Sequence, residues 1–396
     1  MIKNLKDYDF KNKTALVRVD FNVPLKNGKV AGDDRIVKSL PTIKYLKDAG
    51  AKIILMSHLG RPKGKYNKDL SLKAVAQRLG KLLGEDILFL EDQRVVSDDL
   101  KERAKSLKEG QIALLENLRF VPEEEKNDPD FAKNLASLAD VYINDAFGTA
   151  HRAHASNSEV TKHLPSFPGF LLEKEIKYLK DSLENPERPF VAILGGSKVS
   201  DKIELIKNLL NKVDKLIIVG AMAINFLKAE GIEVGTSLVE EDKLDLARKL
   251  ISLSKDKKVK LILPLDVVTA KEISEEAQSA VFEIHKIPKD QMILDIGPKT
   301  LENLKEELKD ANTVVWNGPC GVFEIEQFAK GTMGLAKILG EIKGLTIVGG
   351  GDSVSAVEKS GLAEKFTHIS TGGGASLELL EGKELPALKA LGDSEK

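Results

Sequence analysis

The sequence has almost no cysteine and no excess of either charge. Cys320 is the one cysteine among 396 residues, which excludes an intramolecular disulfide and a zinc site built from several cysteines. The 60 Lys and Arg residues and the 61 Asp and Glu residues leave a formal net charge of −1. No global field would then attract nucleic acid or an anionic membrane, and we expect neither as a partner.

Long apolar runs are also missing. No stretch approaches the roughly 18 consecutive apolar residues of a membrane-spanning helix. The charged first residues lack the apolar segment of a secretory signal. Together with the single thiol, which suits a reducing compartment, these absences lead us to expect a cytoplasmic protein.

Short β-branched segments alternate with longer segments of helical period along the chain, which is typical of βα units and parallel sheets. About eleven strands exceed what one open sheet with helices on both faces comfortably holds. The sequence therefore predicts an α/β protein with two doubly wound, Rossmann-like parallel-sheet domains. The predicted strands are 14–19, 52–56, 87–90, 112–115, 141–144, 190–194, 215–219, 260–263, 313–316, 345–348 and 367–369.

Prolines mark the predicted boundary between these domains. Pro165 and Pro168 end the first pattern, and apolar residues then repeat at helical spacing until Pro186 and Pro189. We predict a first domain over 1–168, a connecting helix over 169–186 that serves as a hinge, a second domain over 187–371, and a C-terminal segment over 372–396 that returns to the first domain. An ordinary crossover helix is the alternative interpretation of the connector.

Polar and basic side chains follow the strands of the first half. In open α/β sheets, ligands bind outside the carboxyl ends of the strands. Only 10 of the 60 basic residues are arginine, yet Arg61, Arg119, Arg152 and Arg35 fall near that edge. Guanidinium groups match carboxylate and phosphate geometry, so a small, multiply anionic metabolite is the predicted ligand.

Other residues at this edge refine the predicted ligand. Asp20 and Asn22 suit hydroxyl groups rather than an anion, which favours a hydroxylated acid or a sugar phosphate. His58, His151 and His154 are interpreted as anion-binding or hydrogen-bonding groups rather than metal ligands, because neighbouring arginines would repel a metal ion. A set of loop ion pairs and helix caps is the alternative interpretation of the whole edge.

The strands of the second half end in glycine. Glycine lets backbone N–H groups approach a phosphate, and a following helix N-terminus adds its positive end. Lys198 and Lys202 are predicted in the first turns of one helix, on one face, with an anion in front of them. Chance spacing in a lysine-rich chain is the alternative. These features predict a nucleotide phosphate site, with Asp352 as the Mg²⁺ ligand. The glycine-containing segments are 195–202, 220–223, 316–321, 349–353 and 371–376.

Several well-known motifs are absent. The chain has neither the G-x-x-x-x-G-K-[ST] phosphate loop nor the G-x-G-x-x-G dinucleotide fingerprint. Ala153 follows His151 and Arg152 where a protein kinase would have aspartate. A nicotinamide-dependent dehydrogenase and a non-catalytic nucleotide or metabolite sensor nevertheless stay open as alternative functions at this point.

A set of sequence motifs is spread over the whole chain. The motifs are RVDFNVP at 18–24, SHLGRP at 57–62, FGTAHRAHAS at 147–156, GGSKV at 195–199, DIGP at 295–298, WNGP at 316–319, GVFE at 321–324, GGGDS at 349–353 and STGGGAS at 370–376. In this order and spacing, the set resembles the phosphoglycerate kinase family over essentially the full length.

The resemblance implies reversible transfer of a phosphoryl group from 1,3-bisphosphoglycerate to ADP, giving 3-phosphoglycerate and ATP with Mg²⁺. It further implies direct in-line transfer, an active site in an interdomain cleft and domain closure, and we expect a monomer. The implied phosphoglycerate positions are Asp20, Phe21, Asn22, Arg35, His58, Leu59, Gly60, Arg61, Arg119 and Arg152. The implied nucleotide positions are Lys202, Glu324, Gly350, Gly351, Asp352 and Ser353, with Glu324 on the ribose.

The resemblance also assigns roles around the migrating phosphoryl group. Lys198 and Arg35 match the cations that neutralise it, and Gly372 and Gly373 match positions that supply backbone donors. One departure from the family concerns the adenosine side. Val219 and Ile293 stand where the family usually has small residues, so we expect a tighter or more apolar adenine pocket.

Overall fold

In the computed structural model, which describes residues 4–393, the chain divides into two units. The first consists of Met1–Ile176 with Glu384–Lys396, and the second of Lys177–Lys383. Each is an α/β unit with a parallel sheet, as the sequence predicts. Within the described residues, no helix is both long and apolar enough to span a bilayer.

The first unit is built on a six-stranded sheet. The strands of the whole unit are β1 Thr14–Val19, β2 Leu25–Lys26, β3 Lys29–Val30, β4 Lys52–Met56, β5 Leu88–Leu90, β6 Ile112–Leu115, β7 Val141–Asp145 and β8 Ser166–Pro168. The sheet order is β5-β6-β4-β1-β7-β8 with parallel pairing, while β2 and β3 form a separate hairpin. The helices are α1 Asp34–Asp48, α2 Lys73–Leu83, α3 Asp98–Lys105, α4 Pro122–Glu125, α5 Pro129–Ala136 and α6 Phe170–Ile176. Turns of 3₁₀ helix lie at Leu5–Asp7, Lys68–Leu70, Leu118–Phe120, Phe147–Thr149 and Glu159–Lys162.

The second unit carries a second six-stranded parallel sheet and a smaller antiparallel one. Its helices are α7 Ser182–Glu184, α8 Ile203–Leu210, α9 Gly220–Ala229, α10 Leu244–Asp256, α11 Pro298–Leu308, α12 Lys330–Gly340, α13 Gly351–Ser360 and α14 Gly373–Leu380. Its strands are β9 Phe190–Leu194, β10 Lys215–Ile218, β11 Lys260–Ile262, β12 Asp266–Ala270, β13 Ala280–Glu283, β14 Met292–Ile296, β15 Thr313–Asn317, β16 Leu345–Gly349 and β17 His368–Ile369. The sheet orders are β11-β10-β9-β15-β16-β17 and β13-β12-β14. Turns of 3₁₀ helix lie at Ser200–Lys202, Glu241–Lys243, Ile284–Lys286, Glu326–Phe328 and Ala363–Lys365.

The strands of both parallel sheets are apolar because helices cover the sheets. Strands β1, β4 and β9 are buried along nearly their whole length, which explains their continuous runs of valine, isoleucine and leucine. Trp316 on β15 is fully buried and packs in the core of the second unit. These cores hold the carboxyl ends of the strands, and the loops that follow them, in place.

Each of the eleven predicted strands has a counterpart, but the prediction overlooked others. Strand β8 is short, follows Pro165 and ends at Pro168, so its sequence predicts an interruption of regular structure rather than a strand. Proline is tolerated there because β8 lies at the edge of the sheet. The prediction also overlooked the β2–β3 hairpin and the antiparallel strands β12, β13 and β14. Strand β13 is largely exposed and shows no apolar alternation, whereas β12 and β14 are largely buried.

The unit boundaries differ from the predicted ones. The chain passes from the first unit to the second inside a helical segment, in which a π-helical turn, Lys177–Asp181, follows α6 and precedes α7. Residues 372–383 belong to the second unit, since Asn208 Nδ2 donates to Leu380 O over 2.6 Å. The return to the first unit starts at Glu384, and a last helix, α15 Pro386–Asp393, follows there, with Ala387 N donating to Ala150 O over 3.1 Å. Residues 1–3 and 394–396 of the predicted segments lie outside the described part of the chain.

Candidate active site

In the first unit, the chain order of the strands reverses around β1, which lies between β4 and β7. Ligands of doubly wound sheets bind at the carboxyl edge near such a reversal. The residues that follow β1, β4, β6 and β7 therefore meet at one edge, as the sequence predicts for its basic residues.

Asp20 and Arg35 form an ion pair at this edge. Asp20 directly follows β1, Arg35 lies in the first turn of α1, and Arg35 Nη1 is 2.5 Å from Asp20 Oδ2. Gly148 lies against this pair, because a Cβ atom at that position would overlap Asp20 Oδ2. The FGTAHRAHAS motif thus needs a glycine here to let the pair form.

His58 follows β4 and is surrounded by guanidinium groups. Its ring is buried, and its Nδ1 lies 3.2 Å from Arg18 Nη2. Burial, and then the charges of Arg18, Arg119, Arg152 and Arg35, hold the pKa of His58 well below its ordinary value of 6.5. The imidazole is therefore neutral near pH 7, so positive charge here comes from arginine alone.

Arg119 supplies a buried guanidinium to this edge. Its Nη1 donates to Gly60 O over 3.0 Å, and its Nε lies 3.3 Å from Glu125 Oε1. Within the described part of the chain, its buried Nη2 has no hydrogen-bond partner. Gly60 N in turn donates to Asn22 Oδ1 over 2.9 Å, which draws Asn22 into the same group. A buried donor without a partner is costly, so an oxygen of a ligand is the natural acceptor for Nη2.

Not all predicted residues turn their side chains toward this edge. Phe21 and Leu59 are buried in the core of the unit, where their side chains pack against apolar neighbours. Arg61 is exposed. Arg152 is partly exposed, and its Nε lies 3.2 Å from His151 Nε2.

A buried polar chain behind this edge was not predicted. Arg18 Nε donates to Ser156 Oγ over 2.9 Å, and Ser156 Oγ donates to Glu124 Oε1 over 2.6 Å. Burial raises the pKa of Glu124, while burial and the nearby guanidinium groups lower that of His154 to about 3. Ser156 stands in a quoted motif, but nothing in the EEE sequence at 123–125 marks Glu124 as the buried member.

In the second unit, the chain order reverses between β9 and β15. The loops that follow these two strands approach closely: Gly195 N donates to Asn317 O over 2.9 Å. A Cβ atom on Gly195 would overlap Pro319 O, and Gly318 has a φ of +102°. Glycine is required at both positions, because a side chain would separate the two loops.

Lys202 ties these loops together through its ammonium group. Its Nζ donates to Gly195 O over 2.7 Å, to Asn317 Oδ1 over 2.6 Å and to Asn317 O over 3.1 Å. Burial lowers the pKa of Lys202 to about 8, although the carboxylates of Asp352 and Asp201 oppose that shift. An additional anion beside Lys202 would favour its charged form.

Helix α13 starts beside this ammonium group. Gly350 has a φ of +91°, and no side chain caps the first N–H groups of α13. Asp352 is exposed in the first turn of the helix. Ser353, in contrast, is buried, and its Oγ accepts a hydrogen bond of 2.5 Å from Gly318 N. Its hydroxyl therefore holds a loop together rather than standing open to a ligand.

Helix α14 starts next to α13. A Cβ atom on Gly373 would lie 3.5 Å from Gly351 N, so the two glycine segments are neighbours. No side chain caps α14 either, and Gly372 is its N-cap residue. Two helix N-termini with free N–H groups suit the oxygens of a phosphate chain.

A cavity of about 290 Å³ adjoins these loops. This volume is near the lower end of the roughly 300–1,000 Å³ of small-molecule pockets. Of the two residues expected to narrow the adenine pocket, Ile293 lines this cavity, whereas Val219 packs in the core of the unit. The other lining residues are Gly196, Ser197, Gly220, Ala221, Leu294, Asp295, Pro319, Cys320, Gly321, Val322, Glu324 and Asp352.

Lys198 and Lys202 do not share a helix face, contrary to the prediction. The 3₁₀ turn starts at Ser200 and α8 at Ile203, so Lys198 stands in the loop before both. The Lys198 side chain is exposed. The N–H groups that follow it donate to the carboxylate of Glu240, so an anion from the protein already occupies this helix start.

Comparison with known proteins agrees with the motifs. A family model described as phosphoglycerate kinase matches residues 5–383. The chain is 56% identical over 393 residues to a phosphoglycerate kinase of Dictyoglomus turgidum, covering 99% of this chain and 98% of the relative. It is 58% identical over 387 residues to a phosphoglycerate kinase of Moorella thermoacetica, with 98% of each covered. Its fold matches the structure of phosphoglycerate kinase from Coxiella burnetii with a TM-score of 0.92 and 42% identity over 100% of both chains.

Proposed function

The chain belongs to the phosphoglycerate kinase family, and from this premise we propose how its residues share the reaction. The protein is an enzyme that transfers a phosphoryl group reversibly between 1,3-bisphosphoglycerate and ADP, giving 3-phosphoglycerate and ATP. This excludes a dehydrogenase or a non-catalytic sensor as its function. The assignment of individual residues to the two substrates is our proposal.

The phosphoglycerate binds at the edge of the first unit. One observation carries this assignment: within the described part of the chain, the buried Nη2 of Arg119 has no hydrogen-bond partner, at an edge where Arg18 Nη2 lies 3.2 Å from His58 Nδ1 and Arg35 pairs with Asp20. A buried N–H group without an acceptor is costly, so this edge favours a ligand that brings oxygen atoms. A ligand with a phosphate at one end and a carboxylate at the other would pair with these arginines, and Arg119 Nη2 would donate to it.

Other residues of that edge complete the proposed substrate site. Asp20 and Asn22 accept from the substrate hydroxyl, and exposed Arg61 reaches the phosphate from the rim. Gly60 contributes its backbone groups to the site, whereas the side chains of Phe21 and Leu59 pack in the core and hold the backbone of the site in place.

The nucleotide binds at the glycine loops of the second unit. The uncapped starts of α13 and α14 offer N–H groups to the phosphates, and Lys202 supplies charge. Glu324 is exposed beside the cavity and suits a ribose hydroxyl. Gly350 and Gly351 let the phosphates approach, and Ser353 holds the supporting loop.

Asp352 fits a Mg²⁺ ion that arrives with the nucleotide. Magnesium prefers one or two carboxylates together with phosphate oxygens and water. Asp352 is an exposed carboxylate in the first turn of α13, where phosphate oxygens would lie. When bound, the ion would neutralise charge on the phosphate chain, while Asp352 holds it at the helix start.

The transfer needs charge neutralisation more than acid–base catalysis. The attacking carboxylate of 3-phosphoglycerate is ionised at neutral pH, so no general base is required. Lys198, Arg35 and the backbone N–H groups at Gly372 and Gly373 stabilise the oxygens of the migrating phosphoryl group. Arg35 is already oriented by its 2.5 Å ion pair with Asp20.

Turnover includes domain closure. The proposed substrate sites belong to different units, and in-line transfer requires the two bound ligands to meet. The helical segment with its π-helical turn at Lys177–Asp181 is the proposed hinge. Small-angle scattering should show compaction when 3-phosphoglycerate and a non-hydrolysable MgATP analogue are both present, and an unchanged radius of gyration would contradict closure.

A coupled assay tests the proposed function. Purified protein with 3-phosphoglycerate and MgATP should yield an acyl phosphate, which a reductive second enzyme reports as NADH oxidation. Turnover should vanish without 3-phosphoglycerate or with excess chelator. Binding of both ligands without turnover would contradict the proposed catalytic roles. The cytoplasmic location and the monomeric state stay predictions from the sequence, the latter open to analytical ultracentrifugation.

A further inference from the structure

The carboxylate of Glu240 holds the backbone immediately after Lys198. Glu240 Oε2 accepts from Val199 N over 2.7 Å and from Ser200 N over 3.2 Å. Glu240 Oε1 accepts from Ser200 Oγ over 2.5 Å. Both oxygens of this partly exposed carboxylate thus accept hydrogen bonds from the loop, and hydrogen bonds to carboxylates are among the stronger kind.

Glu240 is itself held by a buried residue of helix α9. Glu240 N donates to Asn225 Oδ1 over 3.2 Å, and Asn225 Nδ2 donates to Glu240 O over 3.0 Å. Asn225 is only 2% exposed, so its amide is fixed by the surrounding core. The position of the Glu240 backbone is therefore set by α9 rather than by its own exposed segment.

The same helix also holds the loop on the other side of Lys198. Met222 N, in the first turn of α9, donates to Gly196 O over 3.0 Å. Lys198 thus stands between two held positions, Gly196 before it and Val199 after it. Its side chain is exposed while Val199 is fully buried, so the backbone is fixed and the ammonium group is presented outward.

We propose that Glu240 is a positioning residue for phosphoryl transfer, which acts by fixing the backbone from which Lys198 reaches the migrating group. This inference rests on the proposed function of Lys198.

The inference is tested by combining Glu240→Ala with Lys198→Ala. Alone, Glu240→Ala should lower kcat roughly tenfold and leave the KM values for both substrates within about twofold, since only an interaction made in the transition state is lost. In the Lys198→Ala background the same change should lower kcat less than about twofold, because residues that act as a unit are not additive. Glu240→Gln, which keeps one acceptor oxygen, should restore part of kcat.

Asp266 provides a matched control in the same unit. Its carboxylate accepts from Lys299 N, Thr300 N and Thr300 Oγ1 over 3.0, 2.7 and 2.7 Å, the same set of two N–H groups and one hydroxyl. It caps α11, which carries no proposed site residue. Asp266→Ala should lower the thermal midpoint at least as much as Glu240→Ala, yet leave kcat within about twofold in both backgrounds.

Three results would overturn the inference: an equal loss of kcat with and without Lys198, a rise in KM at unchanged kcat, or the same loss in Asp266→Ala. If Glu240→Ala does not fold, Ser200→Ala removes one of the three bonds and should show a smaller loss with the same dependence on Lys198. A different result would contradict the proposed role of Lys198 rather than that of Glu240: a Lys198→Ala variant that keeps the full kcat.

Discussion

In the first unit, burial and the charges of four guanidinium groups keep His58 neutral, whereas the second unit offers glycine loops and the starts of α13 and α14, which no N-cap side chain caps. Both arrangements suit phosphate, but by different means. Guanidinium side chains need a supporting network, here Ser156 and Glu124 behind Arg18. Backbone donors need only the right φ angles and the absence of Cβ atoms. The first site should therefore be sensitive to side-chain chemistry, and the second to backbone shape.

Lys198 is a charged side chain in the second unit with a proposed role in the transfer itself, and replacing it should have the largest effect. Lys198→Ala should lower kcat by roughly 10²–10³ while KM stays within a few fold, because a charge aimed at the transition state is lost. Steady-state kinetics in the coupled assay measures this. Lys207→Ala is the matched control, since Lys207 is exposed on α8 and pairs only with nearby Glu204. A large rise in KM at full kcat would reassign Lys198 to ground-state binding.

Gly318→Ala tests whether backbone shape governs the second unit. Gly318 has a φ of +102°, and a Cβ atom there would overlap the backbone of Gly195. Gly361→Ala is the control, because Gly361 has a φ of +70° but open space around it. We expect a loss of about 1 kcal/mol of unfolding free energy for Gly361→Ala and of about 3 kcal/mol or more for Gly318→Ala.

Chemical denaturation and calorimetric titration would measure the two glycine variants. Gly318→Ala should also weaken MgADP binding while leaving 3-phosphoglycerate binding unchanged, since the proposed phosphoglycerate site belongs to the other unit. Equal unfolding free energies for the two variants would show that the cost of a side chain at Gly318 comes from its φ angle alone and not from the close contact with Gly195.

Arg119→Lys tests the dependence of the first unit on side-chain chemistry. A lysine keeps the charge but loses the planar fork that donates to Gly60 O and leaves Nη2 for a ligand. The Kd for 3-phosphoglycerate should rise roughly tenfold, and the Kd for MgADP should not change. Calorimetric titration measures both. Arg103→Lys on exposed α3 is the control, and unaltered binding in Arg119→Lys would argue against a guanidinium-specific site.

Ligand binding at the two sites should also depend differently on pH. This is the smallest of the four effects predicted here. The pKa of Lys202 is lowered to about 8, so its positive charge is present at pH 7 and lost as the pH rises toward 9. MgADP binding should weaken a few fold over that range. The pKa values of His58 and His154 are lowered, so both rings are already neutral and 3-phosphoglycerate binding should stay constant. In Lys202→Met the pH dependence of MgADP binding should disappear, and its persistence would point to another group.

The placement of residues at the carboxyl ends of the strands was largely predictable, because apolar runs in the sequence show where the buried strands of a parallel sheet end. Once the strands are known, Asp20, His58 and Arg119 are expected at one edge, and the glycine segments at another. The antiparallel strands β12 to β14 escaped prediction: β13 is exposed and has no apolar pattern, while β12 and β14 are largely buried. The side chains of Phe21 and Leu59 lie in the core, although the motifs that contain them are site motifs.

The order of the residues, read alone, was enough for the fold class and the family, because these follow from local periodicity and contiguous motifs. The tertiary structure alone decided which atoms of distant segments are in contact. Glu124 lies 32 residues from Ser156, and Glu240 lies 41 from Val199, yet each pair is hydrogen-bonded. No local pattern marks one glutamate among 61 acidic residues as a partner, since hydrogen bonds between distant segments depend on how the sheets bring them together.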